Sequence, residues 1–177
     1  AKAFLELESS DEYNQRVVKK ETQFFVDNIP QILALFEDGA KNIIDIGCGD
    51  GKKIAKIVEQ IKNKEELVYC PVDISGHMVK MASEEVGKTG VKEVVSFEHN
   101  VSDDKNSSAI ADYMRKNHHE KNVFFMLGST LNNSDINETL FNFRNSMEES
   151  DILIVDSVID VDGQDRCLEF YKTESAV

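Results

Sequence analysis

A glycine-rich turn between acidic residues is the first feature of this sequence that could do chemistry. The stretch DIGCGDG, residues 45–51, places three glycines at alternate positions directly after a short apolar run. Glycine lets the backbone turn sharply and lets a ligand approach without a Cβ in the way. The stretch is therefore predicted to bind a ligand, and its charges should indicate which kind.

Two classes of ligand are bound by such a turn at the start of a helix. Dinucleotide enzymes use the spacing G-x-G-x-x-G, with the pyrophosphate at the helix N-terminus, whereas the spacing here is G-x-G-x-G. Asp45 and Asp50 place two carboxylates around the turn, which disfavours a pyrophosphate and favours a cation. S-adenosylmethionine (SAM) carries a sulfonium and an ammonium group and therefore fits better than NAD.

Asp73 is the next acid that could contact such a ligand. It ends the second predicted strand, 22 residues after Gly51. A carboxylate at this place accepts hydrogen bonds from both ribose hydroxyls. NAD sites and SAM sites share this feature, so Asp73 supports a nucleoside ligand without deciding between the two.

Charge and composition limit the classes of partner. The net charge of -13 argues against nucleic acid, because phosphate binding needs clustered Lys and Arg. No apolar run approaches the roughly 20 residues of a membrane span. The three cysteines are odd in number and form no C-x-x-C pair, so reduced thiols in a cytoplasmic protein are expected.

No metal site is predicted from the histidines. His118 and His119 are adjacent, so on a helix they point about 100° apart and do not share a ligand face. We expect them to be a solvated pair at a helix end.

The elements that would position the turn alternate along the chain. Helical periodicity covers residues 13–36, where Pro30 is expected to split the run and Gly39 to close it. Ser75 is expected to cap the helix that follows it. Strands are predicted at 43–46, 67–72, 94–97, 123–127 and 152–155, with further helices at 51–62, near 106–118, around 136–147 and at roughly 162–173.

The fold class follows from this alternation. Strands that are apolar on both faces indicate a mainly parallel sheet between layers of helices. We predict an α/β, Rossmann-like three-layer sandwich with strand order 3-2-1-4-5. It would form one structural domain, with an N-terminal helical segment at 1–38 and a SAM-binding part at 39–177.

Three segments together resemble the histidine-specific family of class I SAM-dependent methyltransferases. DIGCGDG is similar to the first motif of class I enzymes. YCPVDIS, residues 69–75, and FFMLGSTLNN, residues 124–133, resemble the family's Y-x-P-V-D-[IV]-S and F-L-G-S-[TS]-[IL]-G-N segments. The family includes the histidine Nα-methyltransferase of ergothioneine biosynthesis and the fungal dimethylallyltryptophan N-methyltransferases. The resemblance, from about residue 11 to 165, implies N-methylation of a small amino-acid-like amine, with SAM as cofactor and S-adenosylhomocysteine as product.

The resemblance also implies roles for individual residues. Cys48 stands in the glycine turn where the family has Ser, and Asn100-Val101 stand where the family has Asp-Phe against the adenine. Asn133 matches the residue that helps to hold the substrate's α-amino group, and Tyr13 matches a tyrosine of the substrate pocket. No general base is implied. The expected cofactor-binding set is Asp45, Gly47, Cys48, Gly49, Lys53, Asp73, Ile74, Asn100, Val101, Gly128, Ser129 and Thr130.

The chain departs from the family after the fifth predicted strand. The inserted substrate-binding region and the last two strands of the usual seven are expected to be absent before the end at Val177. A non-catalytic or truncated SAM-binding protein, or a partner subunit, therefore stays an alternative, and an NAD-dependent oxidoreductase is a further one. The edge of the fifth strand would be a natural surface for a homodimer. The methyl acceptor, the number of methyl groups transferred and the oligomeric state stay open.

Overall fold

The computed structural model describes residues 19–37, 39, 41–100, 104–128, 130–133 and 135–156. Tyr13, Val101, Ser129 and the helix predicted at 162–173 lie outside these residues. The described helices are α1 (Lys19–Glu37), α2 (Lys52–Val58), α3 (Gly76–Gly87), α4 (Asp104–Asn117) and α5 (Ile136–Ser146), with 3-10 turns at Lys64–Glu66 and Thr130–Asn133. The strands are β1 (Asn42–Ile46), β2 (Val68–Asp73), β3 (Glu93–Val94), β4 (Phe97–Glu98), β5 (Asn122–Met126) and β6 (Ile152–Val155).

The described strands form one parallel sheet. Its order is β3-β2-β1-β5-β6, and β4 also pairs with β2. β5 and β6 are the fourth and fifth predicted strands, so the predicted order 3-2-1-4-5 is confirmed. The third predicted strand, 94–97, is instead two short segments that pair with successive parts of β2.

Helices cover both faces of the sheet, as predicted. Alternate strand residues point to opposite faces, so each face has its own apolar layer. On one face Ile43, Tyr69 and Phe125 pack with residues of α1, α2 and α3. On the other face Ile44 and Phe124 pack with residues of α4 and α5.

Helix α1 continues through Pro30, so the expectation that this proline splits the run was wrong. A proline inside a helix removes one backbone hydrogen bond and costs about 3 kcal/mol. The helix persists because Ile29, Ile32 and Phe36, on both sides of the proline, are buried in the same apolar layer. Gly39 follows the helix with a φ of 85° and donates its N–H to the carbonyl oxygen of Phe36. The predicted helix end is thereby confirmed.

His118 is not solvated, contrary to expectation. Its side chain is 10% exposed, its Nδ1 atom lies 3.7 Å from a carboxylate oxygen of Glu93, and its ring lies 5.9 Å from that of Tyr113. The end of α4 packs beside β3, which brings Glu93 to the histidine.

Within the described residues, none of the helices is long and apolar enough to cross a membrane.

Candidate cofactor-binding site

The predicted site residues meet where the central strands end. β1, β2 and β5 are parallel and in register, with Ile46 opposite both Val72 and Met126. Three segments therefore leave the same edge of the sheet: the glycine turn, the segment after Asp73, and the segment from Leu127 onward. Ligands of open α/β sheets bind beyond this edge.

All three glycines of the turn adopt the left-handed conformation. Gly47, Gly49 and Gly51 have φ angles of 66°, 54° and 78°, which residues with a Cβ rarely adopt. A Cβ on Gly47 would lie 2.6 Å from Thr130 Cγ2, and one on Gly51 would lie 2.7 Å from the Cα atom of Ala82 in α3. A Cβ on Gly49 would meet nothing within 4 Å. The room for a close ligand is therefore at Gly49, whereas the other two glycines allow protein segments to pack.

The turn is fixed by hydrogen bonds to its neighbours. The N–H groups of Gly47 and Cys48 both donate to the carbonyl oxygen of Val72, at 2.8 and 3.2 Å. Asp50 was expected to face a cationic ligand, but both of its carboxylate oxygens contact Lys52. One accepts the backbone N–H of Lys52 at 3.1 Å, and the other lies 2.5 Å from its Nζ atom. Asp50 therefore stabilises the start of α2.

Asp45 lies below the turn, inside the protein. Its side chain is 3% exposed, and its Oδ2 atom accepts a hydrogen bond of 2.7 Å from the hydroxyl of Tyr69. Burial raises the pKa of Asp45 to about 7. The hydrogen bond from Tyr69 opposes this rise, the charge of Asp73 adds to it, and the charge of Lys53 opposes it. Tyr69 was not among the residues predicted from the sequence to act at the site. The available signal was a tyrosine within a buried strand, because a buried hydroxyl needs a polar partner.

Cys48 contributes its backbone to the turn rather than a reactive thiol. The residue is buried, and burial together with the charges of Asp45 and Asp73 raises the pKa of the thiol. A thiol held in its protonated form is a poor nucleophile.

Only one carboxylate oxygen of Asp73 accepts a hydrogen bond from the described residues. Its Oδ1 atom accepts the N–H of Ser75 at 2.9 Å, and Oδ2 accepts no hydrogen bond from the described residues. The following residue, Ile74, is 70% exposed, so its apolar side chain is accessible to a ligand. The carbonyl oxygen of Asp73 accepts the N–H of His99 at 3.0 Å, which brings the exposed Asn100 to the same side.

The segment after β5 forms another wall of the site. Gly128 has a φ of 69°, and a Cβ there would lie 2.9 Å from the Nζ atom of Lys53. The hydroxyl of Thr130 donates to the carbonyl oxygen of Leu127 at 2.7 Å. Asn133 ends the 3-10 turn that begins at Thr130. The structure thus brings Lys53 and Gly128 together and places Thr130 against Gly47.

Glu98 is a further acidic residue at this edge, and it was not predicted from the sequence. It is the register partner of Asp73 on β4, and a Cβ added to Gly76 would collide with its carboxylate. A negative charge at the N-terminus of α3 is favourable and makes the same place unfavourable for a phosphate. The acidic residue became recognisable only once the register of the split third strand was known.

Known proteins resemble this chain in sequence and in fold. A family profile described as histidine-specific methyltransferase, SAM-dependent, matches residues 1–171. An O-methyltransferase family protein from Burkholderia thailandensis has a TM-score of 0.54 and 14% identity, over 95% of this chain and 51% of that one. The sugar N-methyltransferase KedS8 from a Streptoalloteichus species has a TM-score of 0.51 and 13% identity, over 86% of this chain and 53% of that one.

These comparisons carry different information. At such low identity the two solved structures show the fold alone, and the chain spans about half the length of each. Comparison with curated protein sequences gives no significant match. The family profile, in contrast, covers nearly the whole chain. The chain therefore belongs to the family of histidine-specific, SAM-dependent methyltransferases.

Proposed function

We propose that this protein is a SAM-dependent N-methyltransferase that acts on the amino group of a small, histidine-like amino acid. The observation that carries the proposal is the edge formed by Gly49, Asp73 and Ile74. It combines room for a ligand at the turn, a carboxylate oxygen that accepts no hydrogen bond from the described residues, and a 70% exposed apolar side chain. A nucleoside has matching parts, because its ribose hydroxyls donate hydrogen bonds and its base offers an apolar face.

The described residues fit SAM in the following way. Asp73 Oδ2 would accept the ribose hydroxyls, while Ile74 and Asn100 would contact the adenine. The backbone at Gly49 and Gly128 would lie along the methionine part. When bound, SAM supplies a methyl group that its sulfonium already activates. Binding and orientation are then the main tasks of the protein, and correct orientation is worth up to about 7–11 kcal/mol.

The acceptor amine has to be neutral and aligned with the methyl group. By family resemblance, Asn133 would position the α-amino group of the substrate. A neutral side-chain amide can orient the amine but cannot take its proton at neutral pH. We therefore expect Asn133→Ala to lower turnover and to leave SAM affinity unchanged.

A non-catalytic SAM-binding subunit is the second candidate. The chain spans about half of each solved methyltransferase that it resembles, and β6 lies at the edge of the described sheet. An exposed strand edge can pair with another chain, so a homodimer through β6 is part of this candidate. An NAD-dependent oxidoreductase is less favoured, because the third glycine of the turn comes one place too early for the dinucleotide-binding spacing G-x-G-x-x-G.

Calorimetric titration of the 177-residue chain with S-adenosylhomocysteine tests the proposal, with NAD titrated in parallel. We expect micromolar binding of S-adenosylhomocysteine, corresponding to about 8 kcal/mol, and no binding of NAD. Turnover is then followed as S-adenosylhomocysteine formed from SAM, with histidine and other small amines as acceptors. Binding without turnover on any amine, together with a dimer in ultracentrifugation, would favour the subunit. Binding of NAD alone would overturn both candidates.

A further inference from the structure

A buried ionisable pair lies directly beneath the glycine turn. Asp45 precedes Gly47 by two residues, and its side chain points into the apolar layer that contains Ile43 and Phe125. A carboxylate inside such a layer is costly unless a hydrogen-bond donor faces it. The donor that the described residues supply is the hydroxyl of Tyr69, at 2.7 Å.

Tyr69 is suited to be a permanent donor. It is fully buried, and burial, followed by the nearby charge of Asp45, raises the pKa of its hydroxyl. Tyr69 therefore keeps its proton and donates it toward Asp45 at every relevant pH. A hydrogen bond donated to a carboxylate favours its ionised form.

We propose that Tyr69 is a positioning residue that holds Asp45 as an ionised counter-charge for a cationic amino-acid group bound over the glycine turn. The inference rests on the proposed function, because it requires a SAM-like ligand. The pair would make ligand affinity depend on a proton held inside the protein.

The charges around Asp45 act on its ionisation in opposite directions. Asp73, at the end of β2, opposes ionisation of Asp45, and Lys53, from α2, supports it. The neighbouring thiols of Cys48 and Cys70 stay protonated, because burial raises their pKa.

Both forms of Asp45 are populated near neutrality, since its pKa is raised to about 7. A bound cation favours the ionised form, so binding below this pH should release a proton. Affinity should therefore rise as the pH increases toward 7.

Calorimetric titration with S-adenosylhomocysteine between about pH 5.5 and about pH 7.5 tests the inference. Over this range the ligand's amino group stays largely protonated, because α-amino groups titrate near pH 7.7–8.0. The wild-type affinity is expected to rise with pH, and buffers of different ionisation enthalpy should reveal proton release. Tyr69→Phe should bind about tenfold more weakly near pH 6, equivalent to one pH unit of midpoint shift. Asp45→Asn should bind weakly, without this rise.

Tyr113→Phe is the matched control, because it removes a tyrosine hydroxyl on α4, on the other face of the sheet. It should retain the wild-type profile. The NMR chemical shift of the Asp45 carboxyl carbon gives a second readout without ligand, and its midpoint should move to higher pH in Tyr69→Phe.

Two results would overturn the inference in distinguishable ways. Tight binding by Tyr69→Phe with the wild-type pH profile, and an unmoved NMR midpoint, would show that the hydroxyl has only a packing role. Failure of the wild type to bind S-adenosylhomocysteine at every pH would overturn the counter-charge role together with the proposed function.

Discussion

At the scale of single residues, the glycine turn contains one residue type used for two purposes. All three glycines need the left-handed backbone, but the missing Cβ makes room for protein at Gly47 and Gly51 and leaves open space at Gly49. The spacing in the sequence predicted the sharp turn. It did not reveal the approach of Ala82, which depends on how α3 packs against the turn.

A pair of alanine substitutions should separate these two purposes. Each substitution should lower the free energy of unfolding by about 1–2 kcal/mol, because alanine disfavours the left-handed backbone conformation. Gly51→Ala should lower the free energy of unfolding by about 1–3 kcal/mol more, because its Cβ would collide with α3. Gly49→Ala should instead weaken the binding of S-adenosylhomocysteine. Urea unfolding and calorimetry measure the two effects. Equal losses of stability in both variants would contradict the assignment of Gly51 to helix packing.

Asp73 should contribute directly to ligand affinity. Asp73→Ala removes the carboxylate and is expected to weaken binding of S-adenosylhomocysteine by tenfold or more, about 1.4 kcal/mol, because charged hydrogen bonds are lost. Glu84→Ala, which removes an exposed acid on α3, is the control in the same titration. An unchanged affinity of Asp73→Ala would exclude Asp73 from the site.

At the scale of elements, local pattern predicted most of the fold, and tertiary contacts decided the remainder. The central strands were recognisable because they are apolar on both faces, and Ser75 was recognisable as the cap of α3, where its hydroxyl accepts the N–H of Met78. Pro30 was misread because the buried residues around it hold α1 together. The Tyr69–Asp45 pair and Glu98 could not be predicted, since both depend on strand register between distant residues.

The proline in α1 offers a test of this explanation. Pro30 is exposed, so Pro30→Ala should restore a helix hydrogen bond without disturbing the core. We expect the free energy of unfolding to rise by about 1–2 kcal/mol. This is less than the ~3 kcal/mol that a proline costs in a helix interior, because alanine also gives the unfolded chain more conformational entropy. The melting temperature should rise by about 2–4 °C per kcal/mol. Gln31→Ala, at the exposed neighbouring position, should change it little; an equal rise there would contradict the explanation.

At the scale of the whole molecule, one buried acid should give stability a distinct dependence on pH. The pKa of Asp45 is raised from 3.8 to about 7. Between these values the unfolded chain has an ionised Asp45 and the folded chain a protonated one, so unfolding releases a proton. The contribution of this group to stability is therefore complete below about pH 4 and is lost as the pH rises to about 7.

Asp45→Asn should remove this loss. The free energy of unfolding of the variant minus that of the wild type should increase by roughly 2–3 kcal/mol from about pH 5 to about pH 8. The size follows because each pKa unit corresponds to about 1.4 kcal/mol. Urea unfolding of both proteins at the two pH values measures the difference. The repulsion that arises from the high net negative charge is nearly common to both proteins and largely cancels. A difference that does not change with pH would mean that Asp45 is ionised throughout.

The division of the helices between the two faces has a consequence for synthesis on the ribosome. Among the described helices, those of one layer, α1, α2 and α3, precede β4 in the chain, and those of the other layer, α4 and α5, follow it. A nascent chain that has emerged only as far as β4 can therefore cover one side of β1 and β2. The opposite side, with Ile44 and Val72, stays bare until the second half emerges, which makes this interval the one in which a chaperone would be needed.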